Sequence, residues 1–225
     1  MYQSYIIKMS IFLLLILKCH IIGAQRHEDL SSYEVFLDKL VAMVQQQLHE
    51  RLKVNMYYVE LPDYLKSMSG RSIKLGRDHL VRIFGLNFKF LSNGKCNMET
   101  MDGQNTLSCP VRFDDLQIQL PPLEYGGTVY VVHVTINGTL VLKEGTKHMQ
   151  FQQFIWLYEH YEMMDSDWEP VNPPPAAYCL KVKSPLGLKG ILQTKLQKLI
   201  EDGVFRDAVV SSLEKIPKPT DMIGH

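Results

Sequence analysis

Few residues in this 225-residue chain have the types and spacing that enzymes use. The segment His160-Tyr161-Glu162 matches the H-x-E half of a zinc-deaminase motif, but no P-C-x-x-C follows it. The sequence also lacks the G-x-S-x-G, P-loop, G-x-G-x-x-G and H-E-x-x-H motifs. We therefore expect no catalytic residues and no enzyme activity.

Metal ligands are equally sparse. Asp165-Ser166-Asp167 offers two carboxylates, but it lacks the glycine and the distal glutamate of a calcium-binding EF-hand loop, and a solvated turn is the better interpretation. No cysteine of the mature chain has a second cysteine or histidine at zinc-ligand spacing. The sequence predicts neither a metal site nor a cofactor.

Two cysteines favour a disulfide. Cys96 and Cys109 flank a polar stretch containing Asp102-Gly103, as at the end of a hairpin. A bridge there would contribute about 3 kcal/mol in the chain-entropy model. Cys179 is left over, and its alternation with Lys181 places it on an outward face. It could pair between chains, or it could be a capped or partly covered thiol.

One sequon is present. Asn137-Gly138-Thr139 is the only N-x-[ST] match, and Asn137 falls on the polar face of a predicted strand. In an exported chain this predicts an N-linked glycan at Asn137.

The N-terminus predicts export. Lys8 precedes the apolar run of residues 11–17, and Gly23-Ala24 supplies small residues for cleavage, which is typical of a secretory signal peptide at residues 1–24. We expect a secreted, extracellular chain beginning near Gln25. It would carry 22 basic and 24 acidic residues, a net charge of −2. Basic runs with interleaved aromatics are absent, so nucleic acid is not expected as a partner.

Amphipathic helices are predicted at both ends of the mature chain. Ser31 and Glu34 have capping-box spacing ahead of a helix from about Tyr33 to Leu52. A second helix is predicted from Pro185 to Leu213, with Ser184 as its N-cap and Gly203 as a bend or a close packing point.

The middle of the chain has the two-residue period of strands. The predicted strands cover residues 84–90, 116–120, 128–142, 150–162 and 177–182. In the first, Phe84, Leu86, Phe88 and Phe90 are predicted to face inward. The fold class is therefore α+β, with residues 25–216 as one domain and 217–225 as a flexible tail.

Three segments resemble a known family. Tyr58–Asp63 is similar to the proline-aspartate segment after the first helix of the group-seven mite allergens, Phe84-Gly85-Leu86 with Leu91 and Gly94 is similar to their first strands, and residues 204–217 resemble the last helix of takeout-like chains. All belong to the tubular lipid-binding (TULIP) superfamily, which includes juvenile-hormone-binding proteins. This chain lacks the N-terminal disulfide of the takeout-like members, so the resemblance is nearer to the mite-allergen branch.

The resemblance implies a long curved antiparallel sheet wrapped around a C-terminal helix, and a carrier without catalytic residues. We expect a lipid or other apolar small molecule to bind in a hydrophobic tunnel or groove. The predicted ligand-binding residues are Phe84, Leu86, Phe88, Phe90, Val132, Val134, Ile136, Leu192, Leu196, Leu199 and Phe205.

Two alternatives stay open. The chain could be an extracellular protein-interaction module, allergen-like or immune-modulating, with a packed interior and a docking surface around Trp156. A lipocalin barrel is the third possibility, and the long helices at both ends argue against it. Transient contact with a membrane or a protein is compatible with each of these functions, and the sequence does not determine the oligomeric state.

Overall fold

The computed structural model describes residues 31–52, 56–67, 69–75, 80–101, 103–121, 128–165, 167–171, 175, 178–181 and 184–219. The predicted signal peptide, much of the proline-rich stretch at 170–175 and residues 220–225 lie outside this part. The fold is α+β, as predicted. Its helices are α1 (Ser32–Arg51), α2 (Leu188–Glu201) and α3 (Val204–Leu213). Its strands are β1 (Met56–Glu60), β2 (Tyr64–Lys66), β3 (Ser72–Lys74), β4 (Leu80–Phe84), β5 (Phe90–Ser92), β6 (Asn97–Met101), β7 (Gln104–Gln119), β8 (Val131–Glu144) and β9 (Met149–Met164).

The capping box of α1 is confirmed. The backbone N–H of Glu34 donates to Ser31 Oγ, and the backbone N–H of Ser31 donates to the Glu34 carboxylate. These two bonds satisfy backbone donors that the first turn of a helix otherwise leaves unpaired.

The C-terminal helical segment begins later than predicted. Gly187 is the N-cap of α2, and Pro185 lies in the turn before it. The side chain of Ser184 instead accepts a hydrogen bond from the backbone of Leu186 within this turn. The predicted bend is confirmed, because Gly203 separates α2 from α3 as the N-cap of α3.

Seven antiparallel strands form the main sheet, whose central order is β1-β4-β7-β8-β9. Both β5 and β6 also pair with β7, while β2 and β3 form a separate hairpin. The disulfide between Cys96 and Cys109 is present as predicted and joins the start of β6 to β7. The face of β8 that carries Val132, Val134 and Ile136 is buried, and we call it the inner face of the sheet.

The predicted strand over residues 84–90 is wrong. Strand β4 ends at Phe84, and its neighbour Ile83 is the side chain that is buried there. A turn follows, in which Gly85 has a φ of +95°. Because this turn resets the alternation, the side chain of Phe88 is 52% exposed instead of facing inward. Phe84 is only half-buried, opposite Gln117, on the other face from Ile83.

Strand β9 departs from strict alternation at two β-bulges. In one bulge, the extra residue of β9 lies between the partners of Asn137 and Gly138 of β8. In the other, it lies between the partners of Val141 and Leu142. Each extra residue shifts the strand's parity by one. Tyr158, predicted to share a face with Phe154 and Trp156, therefore lies outside with Ile155 and Leu157.

The predicted strand at 177–182 is also wrong over its described residues. Residues 178–181 form a turn, and the phenol of Tyr178 donates a 2.5 Å hydrogen bond to the carbonyl of Pro121. Burial, followed by the neighbouring Tyr130, raises the pKa of Tyr178 to about 12. Cys179 was expected on an outward face, but it is a buried free thiol because the alternation does not exist there.

The core is one apolar cluster that joins the inner face to all three helices. Helix α1 packs against α3, helix α3 packs against α2 and β9, and α1 also contacts β5. Within the described ranges, no helix combines the length and the apolar character needed to cross a membrane.

Candidate ligand-binding interior

The interior between the sheet and α3 is filled by four phenylalanine rings, which we call the Phe cluster: Phe90, Phe113, Phe154 and Phe205. Phe205 of α3 lies 4.9 Å, centroid to centroid, from both Phe90 and Phe113, and both contacts are edge-to-face. Such pairs contribute about 0.5–1.5 kcal/mol beyond their buried area. The Phe cluster therefore fixes α3 firmly on the sheet.

A glycine makes room for one of these rings. A Cβ atom on Gly138 of β8 would lie 2.5 Å from Cε1 of Phe154, closer still to Cζ, and 2.7 Å from the carbonyl oxygen of Ile155. Ordinary carbon contacts are about 3.5–4.0 Å. The absence of a side chain at Gly138 thus lets Phe154 lie directly over the strand.

Helix α2 meets β9 through a group of polar contacts. The indole N–H of Trp156 donates a 2.6 Å hydrogen bond to Glu201, and Lys189 Nζ lies 3.7 Å from Glu159 and 5.1 Å from the ring centroid of Tyr161. We call these five residues the seam.

The seam is partly buried, and this changes the chemistry of its tyrosine. The phenol of Tyr161 donates to Glu159 at 3.1 Å. Burial first, and then the adjacent carboxylate of Glu159, raise the pKa of Tyr161 well above its usual range. The hydroxyl therefore stays neutral at physiological pH and can serve as a hydrogen-bond donor or acceptor.

The structure brings most of the predicted ligand-binding residues together. In one buried cluster lie Leu86, Phe90, Val132, Val134, Ile136, Leu192, Leu196, Leu199 and Phe205. Their exposures are between 0% and 3%. A side chain lining a water-sized void would keep accessible area, so the interior is closely packed where these residues lie. Phe84 and Phe88 do not join this group.

Surface grooves lie beside α2 and α3, and their lining in the described part of the chain includes none of the predicted ligand-binding residues. Two flank α2: one of about 600 Å³ faces Leu180, Lys181, Ser184 and Pro185, and one of about 610 Å³ faces residues 60–63. The third, about 510 Å³, lies between the β8–β9 turn and α3. Helix α2 is therefore bordered by open space on two sides.

Sequence reasoning missed the seam. Glu159 lies on the inner face only because a bulge precedes it, and Lys189 and Glu201 look like ordinary solvated helix residues in the sequence. The tryptophan at 156 was singled out as part of an apolar surface, but its indole N–H is committed to Glu201.

A second polar cluster lies on the outer face. His133 Nδ1 hydrogen-bonds to Asp115 Oδ1, Lys89 Nζ lies 3.4 Å from Asp115 Oδ2, and the His133 ring contacts Trp168 edge-to-face at 5.4 Å. Asp115 has a φ of +60° at the β7 bulge. A His–Asp pair orients a base in nucleophilic catalysis. Here, however, His133 Nε2 is buried without a hydrogen-bond partner, so none of the described hydroxyls or thiols completes a triad.

No protein-family model and no curated protein matches this chain. In the described part of the chain, no three His, Cys, Asp or Glu side chains are grouped as they would be around a metal ion.

Proposed function

We propose that the chain is a secreted, non-enzymatic carrier that holds a lipid or other apolar small molecule between the sheet and α2. The carrying observation is the distribution of polarity across this layer. The inner face and the facing helices form one apolar cluster, and polar contacts between α2 and β9 are gathered at the seam. We also propose that the sheet and the helices have the tubular lipid-binding fold, which three segments of the sequence resemble.

In this proposal, α2 is the element that moves away from the sheet to admit the ligand. Helix α3 is held from two sides, by the Phe cluster and by α1, where Arg51 donates a 2.8 Å hydrogen bond to Ser211. Helix α2 packs against α3 and β9, is bordered by two grooves, and is separated from α3 at Gly203. Because the interior is packed, a ligand enters as α2 swings away about Gly203.

The ligand that fits this layer is amphipathic. Its apolar body would lie among buried core side chains such as Val134, Leu192 and Leu196, with about 0.8 kcal/mol gained for each buried CH₂ group. Its polar end would lie at the seam, where the neutral hydroxyl of Tyr161 and the ammonium of Lys189 offer hydrogen bonds. A hydroxyl, amide or carboxyl head group suits these partners.

Tryptophan fluorescence tests the proposal directly, because the chain has only two tryptophans. In a Trp168→Phe variant, all tryptophan emission comes from Trp156 at the seam. We expect a saturable emission change on titration with a long-chain fatty acid or alcohol, and a matching adduct in native mass spectrometry. The matched Trp156→Phe variant, which reports only from Trp168 on the outer face, should bind without that change. No adduct and no emission change with any of these ligands would refute the carrier.

A second experiment tests whether movement of α2 controls the uptake of ligand. Glu201→Gln keeps an acceptor for Trp156 but removes its charge, which weakens such a hydrogen bond by about 1 kcal/mol. If opening of α2 limits uptake, this variant should bind ligand about fivefold faster in stopped-flow measurements. Glu214→Gln, at the exposed end of α3, is the control and should leave the rate unchanged. Equal rates in both variants would exclude the seam as the gate.

The second candidate is a protein-interaction module with a permanently packed interior. It is favoured by the near-complete burial of nine of the eleven predicted ligand-binding side chains, all except Phe84 and Phe88. A ligand-free mass that persists in the presence of fatty acids and phospholipids, together with capture of a defined extracellular protein, would support this candidate over the carrier.

A further inference from the structure

Strand β9 carries an apolar surface at the edge of the sheet. Ile155, Leu157 and Tyr158 are 40%, 66% and 56% exposed, and β9 is the last strand in the sheet order. We call these three residues the outer strip. Apolar side chains on an exposed edge strand favour pairing with other chains, and proteins usually block such edges.

The predicted glycosylation site lies beside the outer strip. Asn137 of β8 is directly opposite Tyr158, and Thr139 is directly opposite Ile155. Leu157 is the extra residue of the bulge between these pairs. Cβ atoms of directly opposed residues are about 5 Å apart. A group attached to Asn137 therefore starts within one sugar ring's width of Tyr158.

The two amide atoms of Asn137 differ in environment. Oδ1 is buried and has no hydrogen-bond partner. Nδ2 makes no hydrogen bond within the described part of the chain and is not among its buried unpaired atoms, so it remains in contact with solvent. Nδ2 is the atom to which an N-linked sugar is joined. The amide thus keeps its oxygen buried, while the nitrogen that would carry the sugar is not fully enclosed.

We propose that Asn137 carries an N-linked glycan whose first sugars lie on Tyr158 and Leu157 and cover the outer strip. The donor is a polyprenyl-pyrophosphate-linked oligosaccharide. A bond forms between Asn137 Nδ2 and C1 of the first N-acetylglucosamine, the C1–O bond to pyrophosphate breaks, the lipid pyrophosphate leaves with the electron pair, and Nδ2 loses one proton. The proposal depends on passage through the secretory route and is independent of any cargo in the interior.

The contact has a physical basis on both sides. One face of a pyranose ring presents C–H groups, which pack on the electron-rich face of an aromatic ring such as that of Tyr158. The glycan also stands one strand in from the edge, where its bulk prevents a second chain from lying alongside β9. Covering the strip therefore removes an aggregation surface without inserting charges into the strand.

Occupancy is tested with two matched variants secreted from eukaryotic cells. Thr139→Ala destroys the sequon but keeps Asn137, whereas Thr135→Ala changes the same face of the same strand and keeps the sequon. We expect the wild type and Thr135→Ala to lose a glycan mass on enzymatic deglycosylation, and Thr139→Ala to show none. In a parallel expression, an established secretion signal replaces residues 1–24. A wild-type chain secreted with that signal but without a glycan would overturn the proposal.

Coverage is tested by chemical nitration of tyrosine, read out by peptide mass spectrometry. We expect Tyr158 to be protected in the wild type and in Thr135→Ala, and the protection to be lost in Thr139→Ala. Exposed Tyr64, on the separate β2–β3 hairpin, should react equally in all three proteins. Sedimentation should show self-association of Thr139→Ala that Leu157→Asp suppresses. Equal labelling of Tyr158 with and without the glycan would overturn the covering role, whatever the occupancy.

Discussion

Substitution of Gly138 by alanine should destabilise the protein sharply, because the new methyl group and the Phe154 ring cannot occupy the same space. The distance of 2.5 Å from this Cβ to Cε1 of the ring is at least about 1 Å shorter than an ordinary carbon contact. The ring cannot retreat freely, since Phe113 and Trp156 lie at centroid distances of 6.2 and 5.5 Å. The carbonyl oxygen of Ile155, at 2.7 Å, gives a second conflict with backbone.

Overpacking of a core typically costs 1–3 kcal/mol, and the additional backbone conflict places Gly138→Ala at the upper end, about 3 kcal/mol. For a domain of this size, that corresponds to a fall in Tm of about 6–12 °C. Urea unfolding followed by circular dichroism gives the free energy, and a thermal melt gives Tm. The variant keeps the Asn-x-Thr sequon, so we expect no difference in glycosylation between it and the wild type.

Two controls isolate the cause. Thr135→Ala, on the outer face of the same strand, should change the free energy of unfolding by no more than about 0.5 kcal/mol. In a Phe154→Leu background, the cost of Gly138→Ala should fall, because the ring tip is gone. A loss of less than about 0.5 kcal/mol for Gly138→Ala alone, or an undiminished loss in the Phe154→Leu background, would refute the reasoning.

Three further predictions concern stability. Replacing Cys96 and Cys109 together by serine should lower the free energy of unfolding by about 3 kcal/mol, measured by urea unfolding under non-reducing conditions, because a loop with a sequence separation of 13 is no longer closed. Hydrogen bonds from Lys218, the larger cause, and from Asn105 lower the pKa of Glu144. The ionised Glu144 carboxylate therefore stabilises the fold above the ordinary glutamate pKa, and this stabilisation is lost as the pH falls through the lowered pKa. In a Glu144→Gln variant, the free energy of unfolding should fall less steeply on the acid side of a plot against pH. The pKa of Tyr178 is raised to about 12, so its contribution is complete below its unfolded pKa of about 10 and is lost as the pH rises toward 12. A Tyr178→Phe variant should lose less stability than the wild type in thermal melts recorded between about pH 10 and about pH 12. The same loss of stability in both proteins over that range would contradict the assigned burial.

Regular segments were predictable because one periodicity runs through them without interruption. Helix α1, its capping box and the inward set on β8 follow directly from three- to four-residue and two-residue spacing. The disulfide followed from a turn-rich loop between two cysteines. The C-terminal bend followed from a glycine within a helical pattern.

The errors occurred where a single residue changes the parity of the chain. The turn at Gly85 interrupts the alternation, and each bulge in β9 moves the side chains that follow it to the opposite face as far as the next bulge. A sequence does not show where such an insertion falls. The start of α2 was misplaced for a different reason. Ser184-Pro185 is a good helix-start signal, but here it caps only a turn, and the helix begins at Gly187.

The seam could not be predicted because it depends on two such features at once. Glu159 reaches the inner face through a bulge, and Lys189 and Glu201 are paired with β9 only by the docking of α2. The residues predicted to bind ligand were nevertheless mostly placed in one layer, since burial of apolar side chains at regular spacing does not depend on the partner.

The contact between α1 and α3 has a consequence for the timing of synthesis. Arg51 and Ser211 are separated by 160 residues, and the apolar face of α1 is buried largely by elements that lie far along the chain. At about 5–20 residues per second, the last of these emerges roughly 8–30 s after α1 has been made. Strands β6 to β9 pair with near neighbours in sequence and can assemble during this interval. We therefore expect α1 to be the segment that chaperones hold in the nascent protein, and the final step of folding to be its capture by α3.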